Sequence, residues 1–336
     1  MKYQALILIF VILISSYILK QGDVFSKQEN DPSKNMQASV LLTGSDIIEE
    51  PKTNQDNSVQ IDSANTSKDK KINSLPEVSP ENKIDVSERP AIESINFEQD
   101  CNGVGAMIYL VSQSGQNSKL FQKNLNYRWP IASVTKLMTA IVTIDNIDLK
   151  TQIEITQDVK DAVGEYGNFS VGSKYSTLDM IKSGMVFSSN DATFALSKYL
   201  GQDKFIQKMN DKAKEIGMSQ TSFYEPSGLS YLNQSTIYDL ETLLNFIYNK
   251  YPSILEFTRQ KTVSIKELTS GKSKIYNNIN QFAGRKEFVG GKTGYIDQSG
   301  GNLVTLFQKN GKLSFIGVLG SQDRFADVDR LFKCIK

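Results

Sequence analysis

Residues 95–336 change hydrophobic period twice, and this restricts the fold more than any other feature of the chain: strand-like sequence stands at both ends and helical sequence fills the middle. Gly105 to Ser112 reads as a buried strand, and Ser114-Gly115 turns the chain into a second strand around Leu120 to Lys123. At the other end Phe288 to Tyr295, Asn302 to Lys309 and Lys312 to Leu319 read as three strands, the last two joined by the hairpin pair Asn310-Gly311. Between these ends, Leu137, Ala140, Ile141 and Ile144 continue a helix that begins near Ser133. Ser176-Thr177-Leu178-Asp179 has the form of a capping box, opening a short helix through Met180, Ile181 and Met185 that ends at Ser188-Ser189-Asn190. Phe205, Ile206, Met209, Ala213 and Ile216 form an amphipathic stripe stopped by Gly217. Further helices are predicted over Ser235–Tyr248 and Phe325–Ile335. The expectation is an α+β fold: an antiparallel sheet built from both chain ends, an inserted helical lobe, and a cleft between them.

The sequence before this region is of another kind. Met1-Lys2-Tyr3 leads into an apolar run from Ala5 to Leu19, interrupted only by Ser15 and Ser16, which has the length of an export signal and barely that of a membrane span. No Ala-x-Ala-like site follows, which favours an uncleaved membrane anchor over residues 1–20; a cleaved signal, and a secreted protein, is the alternative. Residues 21–94 are rich in Asn, Ser, Asp, Glu and Lys, and Pro32, Pro51, Pro76, Pro80 and Pro90 interrupt any pattern. Such a segment buries too little apolar surface to offset its ordering entropy, so a disordered linker is expected, reaching about 50 Å as a flexible coil. The net charge of +1 offers no electrostatic footprint for nucleic acid. Cys101 and Cys334, the two cysteines, stand at the two ends of the foldable region and are a disulfide candidate in an exported protein. No Cys/His ligand pattern is present, and neither a metal nor a cofactor is expected.

Ser133 and Lys136 lie three apart at the start of an apolar helix, where side chains at that spacing share a face. A serine becomes nucleophilic when a neighbouring base takes its proton, and a lysine serves if burial and nearby positive charge depress its pKa. The chain has no histidine, so serine chemistry here cannot use a Ser-His-Asp triad. Two further triplets follow in order: Ser188-Ser189-Asn190, and Lys292-Thr293-Gly294 within Gly290 to Tyr295. Ser-x-x-Lys, Ser-x-Asn and Lys-Thr-Gly in this order resemble the penicillin-recognising serine enzymes.

Together with Pro226-Ser227-Gly228-Leu229, Ser235-Thr236 with Asp239, Asn278-x-Asn280 and Gly300-Gly301-Asn302, the trio makes residues 95–336 resemble the catalytic domain of the D-alanyl-D-alanine carboxypeptidases, the low-molecular-weight penicillin-binding proteins. The resemblance implies release of the terminal D-alanine from peptidoglycan stem peptides through a serine acyl-enzyme, on the outer face of the cell membrane. It implies Ser133 as nucleophile, Lys136 as its base and Ser188 as proton shuttle to the leaving group. Asn190 would position the substrate and steady Lys136; Lys292, Thr293 and Gly294 would bind it, the first two holding its carboxylate, as a cation beside a hydroxyl should. The backbone N–H groups of Ser133 and Tyr295 would form the oxyanion hole, and β-lactams would act as covalent inhibitors.

Two alternatives stay open on the same motifs. A D,D-endopeptidase of the same family would use the same residues. A class A-like β-lactamase would need a deacylating glutamate, and Glu241-Thr242-Leu243-Leu244-Asn245 matches that loop's Glu-x-x-Leu-Asn string. Leu240, Leu243, Leu244 and Ile247, however, form a helical core stripe with no Gly or Pro nearby, which places Glu241 on a helix surface. A silent wall-binding or penicillin-sensing module is disfavoured because nucleophile, base and carboxylate-binding positions are all retained.

Overall fold

The structure, a computed structural model, describes residues 103–114, 119–163 and 168–335. The predicted anchor, the linker and Cys101 lie outside the described residues; Cys334 is disulfide-bonded. Among the described residues no helix is long and apolar enough to cross a membrane.

The chain enters through β1 (Ile108–Gln113) and β2 (Lys119–Lys123), then β3 (Trp129–Pro130), a 3-10 turn (Ala132–Thr135) and helix α1 (Lys136–Asn146). The helical lobe continues through β4 (Gln152–Glu154), α2 (Gln157–Val163), β5 (Lys174–Ser176), α3 (Thr177–Val186), α4 (Asn190–Leu200) and α5 (Gln202–Glu215). After β6 (Gln234–Ser235) come α6 (Ile237–Lys250), α7 (Pro252–Arg259) and the β7 (Thr262–Lys266) and β8 (Ser273–Asn277) hairpin. The chain then completes the sheet with β9 (Phe288–Ile296), β10 (Gly300–Lys309) and β11 (Lys312–Ser321), and closes with α8 (Arg324–Cys334).

Both chain ends do build one antiparallel sheet, of five strands in the order β2-β1-β11-β10-β9. Its two faces are both covered, and strand periodicity sorts the side chains between them. On β10, Leu303 and Phe307 join Ile316, Val318, Val328 and Leu331 under α8. Val304 and Leu306 turn to the opposite face with Leu240, Leu244 and Leu255 of α6 and α7. Asn310 and Gly311 take φ of 54° and 75°, the left-handed pair a tight hairpin requires.

The lobe packs α3, α4 and α5 around α1. Ser176 caps α3 as its sequence predicts, its hydroxyl accepting from the Asp179 N–H at 3.1 Å. Helix α4 is enclosed on every side over residues 190–197, polar Asn190, Asp191 and Thr193 included, so its polar positions do not mark a solvent face. The seam between lobe and sheet is closed where the 3-10 turn lies against β9, the sheet's outer strand.

Candidate active site

The helix expected to begin at Ser133 instead begins at Lys136, and the preceding residues take the tighter 3-10 form. Such a turn has three residues per turn, so side chains three apart eclipse. Ser133 and Lys136 are consequently in line, with Lys136 Nζ 2.9 Å from Ser133 Oγ. The Lys136 side chain is fully buried, whereas Ser133 remains half-buried at the cleft. Lys136 Nζ donates to Asn190 Oδ1 at 2.8 Å and to the Ser227 carbonyl at 2.6 Å. Neither of those acceptors can give a proton back, so a neutral amine would spend its two N–H bonds on them and turn its lone pair to the Ser133 hydroxyl. Burial pulls the Lys136 pKa down to about 7, against the raising effect of the Glu225 charge. The amine is thus poised to accept a proton near neutrality.

Ser188 sits on the short connection between α3 and α4, and Asn190 is the first residue of α4. Ser188 has φ of 60°, unusual for a residue other than glycine and held there by its surroundings. The preceding Phe187 ring stacks on Tyr276 at 4.1 Å and meets Phe169 edge-on at 6.2 Å. Ser189 then caps α4, accepting from the Ala192 N–H at 3.3 Å, while its own N–H donates to the Ser183 carbonyl at 3.1 Å. This frame lifts the Ser188 hydroxyl into the cleft and turns Asn190 inward to Lys136.

The third element is β9. Lys292 is 1% exposed, and its Nζ donates to Ser188 Oγ at 3.0 Å and to the Thr293 carbonyl at 3.0 Å. Its pKa lies well below the usual lysine range, first through burial and then through the charges of Lys136 and Arg324. Thr293 is buried beside it, and Tyr295, 61% exposed, stands where the strand leaves the cleft. A Cβ on Gly294 would lie 2.7 Å from the Ile131 carbonyl oxygen and 3.0 Å from the Ser133 nitrogen, so a glycine lets β9 lie against the turn that carries Ser133. This contact places the backbone of Gly294 alongside the Ser133 N–H.

The residues named from sequence therefore gather in one cleft, in two hydrogen-bonded sets: Ser133, Lys136 and Asn190, and Ser188 with Lys292 and Thr293. Three contributions were missed. The Ser227 carbonyl is backbone, which residue type cannot announce. Arg324 donates from Nη1 to the Gly294 carbonyl at 2.8 Å, bringing a second cation to the Lys292 end from the far terminus of the chain. Glu225 lies beneath the loop carrying Ser227; the string Pro226-Ser227-Gly228-Leu229 was the available signal. A Cβ on Gly228, at φ 88°, would fall 1.9 Å from the Ala132 carbonyl oxygen, so that loop touches the Ser133 turn directly.

Glu241 lies elsewhere, but it is not the surface residue its helical position suggested. It is half-buried, accepts a hydrogen bond from Ser112 Oγ of β1, and burial raises its pKa. Ser133 lies against β9, three strand spacings from β1, or about 14 Å at ~4.8 Å each. From there Glu241 cannot reach a water on a Ser133 ester.

Architecture and cleft together are those of the penicillin-binding D,D-peptidases. The Listeria monocytogenes penicillin-binding protein D2, solved in an ampicillin-bound form, superposes with a TM-score of 0.61 at 25% identity, over 68% of this chain and 97% of that one. The D-alanyl-D-alanine carboxypeptidase family profile matches residues 97–322, and the chain belongs to that family of serine peptidases. The D-alanyl-D-alanine endopeptidase of Haemophilus influenzae is 35% identical over 221 residues, 64% of this chain and 74% of the relative. The D-alanyl-D-alanine carboxypeptidase DacF of Bacillus subtilis is 30% identical over 209 residues, 60% and 53% respectively.

Proposed function

We propose that the protein is a D-alanyl-D-alanine carboxypeptidase that removes the terminal D-alanine of peptidoglycan stem peptides through an acyl-enzyme on Ser133. The observation that carries this reading is the buried Lys136 amine 2.9 Å from Ser133 Oγ, with its other two donor positions taken by Asn190 and the Ser227 carbonyl. Neutral Lys136 takes the hydroxyl proton as Oγ attacks the carbonyl carbon of the penultimate D-alanine. The N–H groups of Ser133 and Tyr295 receive the developing oxyanion. As the C–N bond breaks, the proton reaches the departing amine through Ser188, leaving an ester on Ser133. A water entering where the amine left then attacks the ester carbonyl as Lys136 takes its proton, and Lys136 returns that proton to Ser133 Oγ as the ester C–O bond breaks, freeing the shortened peptide's carboxylate.

Lys292, with Thr293, binds the substrate carboxylate, and Arg324 adds positive charge at the same end. Two lysines so near each other in a dry site resist carrying protons together. An incoming carboxylate favours the proton on Lys292 and so leaves Lys136 neutral for catalysis.

A second reading is favoured by the 35% identity to a D-alanyl-D-alanine endopeptidase. In that case the leaving amine belongs to the side chain of a second stem peptide, and the same residues cut the cross-link. Incubation of the enzyme with a pentapeptide stem and, separately, with a cross-linked peptide dimer decides between them. Release of free D-alanine from the first substrate supports the carboxypeptidase; dimer cleavage with no D-alanine released supports the endopeptidase and overturns the first reading.

The same proposal puts the enzyme at the extracytoplasmic face of the membrane, tethered through the apolar run Ala5–Leu19. Fractionation of cells should find the full-length chain with membranes; a shortened soluble form would instead mean a cleaved signal.

A further inference from the structure

Glu225 is a buried acid in no sequence motif of the reaction, 9% exposed, and its carboxylate is satisfied entirely by neutral donors. Oε2 accepts from the Ser227 N–H at 2.7 Å and the Ser227 hydroxyl at 2.6 Å. Oε1 accepts from the Gly228 N–H at 2.5 Å, the Ser230 N–H at 3.3 Å and Asn233 Nδ2 at 2.9 Å. Asn233 completes the clamp: its Oδ1 accepts from the Tyr224 N–H at 2.8 Å, its Nδ2 donates to Thr135 Oγ1 at 3.1 Å, and its carbonyl accepts from the Ile131 N–H at 2.9 Å. The carboxylate thus folds residues 227–230 around itself, and Asn233 pins the result to the nucleophile's turn. The Ser227 carbonyl is thereby presented to Lys136 Nζ at 2.6 Å.

A buried carboxylate without a bonded cation carries a desolvation cost that neutral hydrogen-bond donors offset only in part, which makes its placement beside this loop worth explaining. Among the described residues Glu225 makes no ion pair within 4.0 Å, and its charge acts on Lys136. The other charges around the cleft do not supply this. Asp191 of α4 accepts from the Phe169 N–H at 2.7 Å and pairs with Lys160 at 3.4 Å. Lys292 of β9 and Arg324 of α8 are cations.

We propose that Glu225 is a positioning residue for the general base: it shapes the loop that hands Lys136 its Ser227 carbonyl acceptor, and its charge balances the ammonium form of Lys136. The direction of the Glu225 effect on Lys136, upward against the lowering by burial, agrees with this role. The proposal rests on Lys136 being the base of Ser133.

The test is the pH dependence of the saturating rate of Ser133 acylation by a chromogenic β-lactam, for wild type, Glu225→Gln and Glu225→Asp. Glu225→Gln should move the rising limb to lower pH by about one unit, because the neutral amide no longer supports the ammonium. Its plateau should fall by about ten- to a hundredfold through the misplaced loop. Glu225→Asp keeps the charge, so its limb should stay at the wild-type pH while its plateau also falls. A limb unmoved in Glu225→Gln, or displaced equally in both variants, overturns the charge role. Should Glu225→Gln fail to fold, Glu225→Asp still decides: a limb in place supports the proposal, and a displaced limb overturns it. A wild-type profile with no rising limb near neutrality would instead refute the lysine-base reading beneath it.

Discussion

The pH dependence of wild-type acylation follows directly from where Lys136 sits. An exposed lysine titrates near 10.5, and burial in this cleft brings Lys136 down to about 7. If neutral Lys136 is the base, the saturating acylation rate should follow its neutral fraction. That fraction rises about tenfold between pH ~6 and pH ~8 and then flattens; at a pKa of 10.5 it would rise about a hundredfold over the same interval and keep rising. The saturating rate is the right quantity because a bound carboxylate favours the charged form of Lys292, leaving Lys136 as the titrating group. Stopped-flow acylation with a reporter β-lactam from about pH 5.5 to 9.5 measures it. A log-linear rise through the whole range, or a flat profile, would refute a buried lysine base.

Other consequences are quicker to check. Lys136→Met should abolish acylation and also change how stability responds to pH. The folded-state pKa of Lys136 lies below its unfolded value, so the unfolded chain binds more protons between about 7 and 10.5, and wild-type stability rises with pH across that window. Denaturant titrations should show wild type gaining about 2 kcal/mol on the variant between pH ~7 and ~9; a constant difference would contradict it. Lys292→Ala should erase most of the preference for a free over an amidated substrate C-terminus, and full retention of that preference would exclude the carboxylate role. Glu241→Gln should leave the lifetime of the β-lactam adduct unchanged, since Glu241 bonds to β1 and not to the cleft; rapid turnover that disappears in this variant would mean a β-lactamase.

What the sequence disclosed of this site is what carries a fixed residue type at a fixed spacing. Ser133, Lys136, Ser188, Asn190 and Lys292 were legible because their chemistry needs those side chains, and the absence of histidine removed the commonest competing base. The five-stranded sheet was legible through its end strands and the Asn310-Gly311 turn. The parts that stayed hidden share physical reasons. Helix α4 is enclosed over its first eight residues, polar and apolar alike, so Asn190, Asp191 and Thr193 lie inside instead of marking an exposed face; β7 alternates cleanly from Thr262 to Lys266, but its partner β8 is almost wholly exposed and has no apolar face to pair with it. The Ser227 carbonyl is a backbone group, and Glu225 and Arg324 reach the cleft only through tertiary folding. Glu241 shows the converse: its helix was legible, but burial against Ser112 depends on which strand the helix crosses.

If Lys136 forms a Ser133 ester, that ester should persist whenever the leaving group cannot depart. A β-lactam tests this because its opened ring keeps the amine tethered over the acyl carbonyl, blocking the water that follows D-alanine release. Intact-mass measurement after a penicillin pulse, followed by peptide mapping over hours, is the decisive experiment. One penicilloyl adduct per chain is expected, mapped to Ser133, long-lived in wild type and missing in Ser133→Ala and Lys136→Ala. An adduct on another residue, or one that forms at wild-type rate in Lys136→Ala, would contradict it.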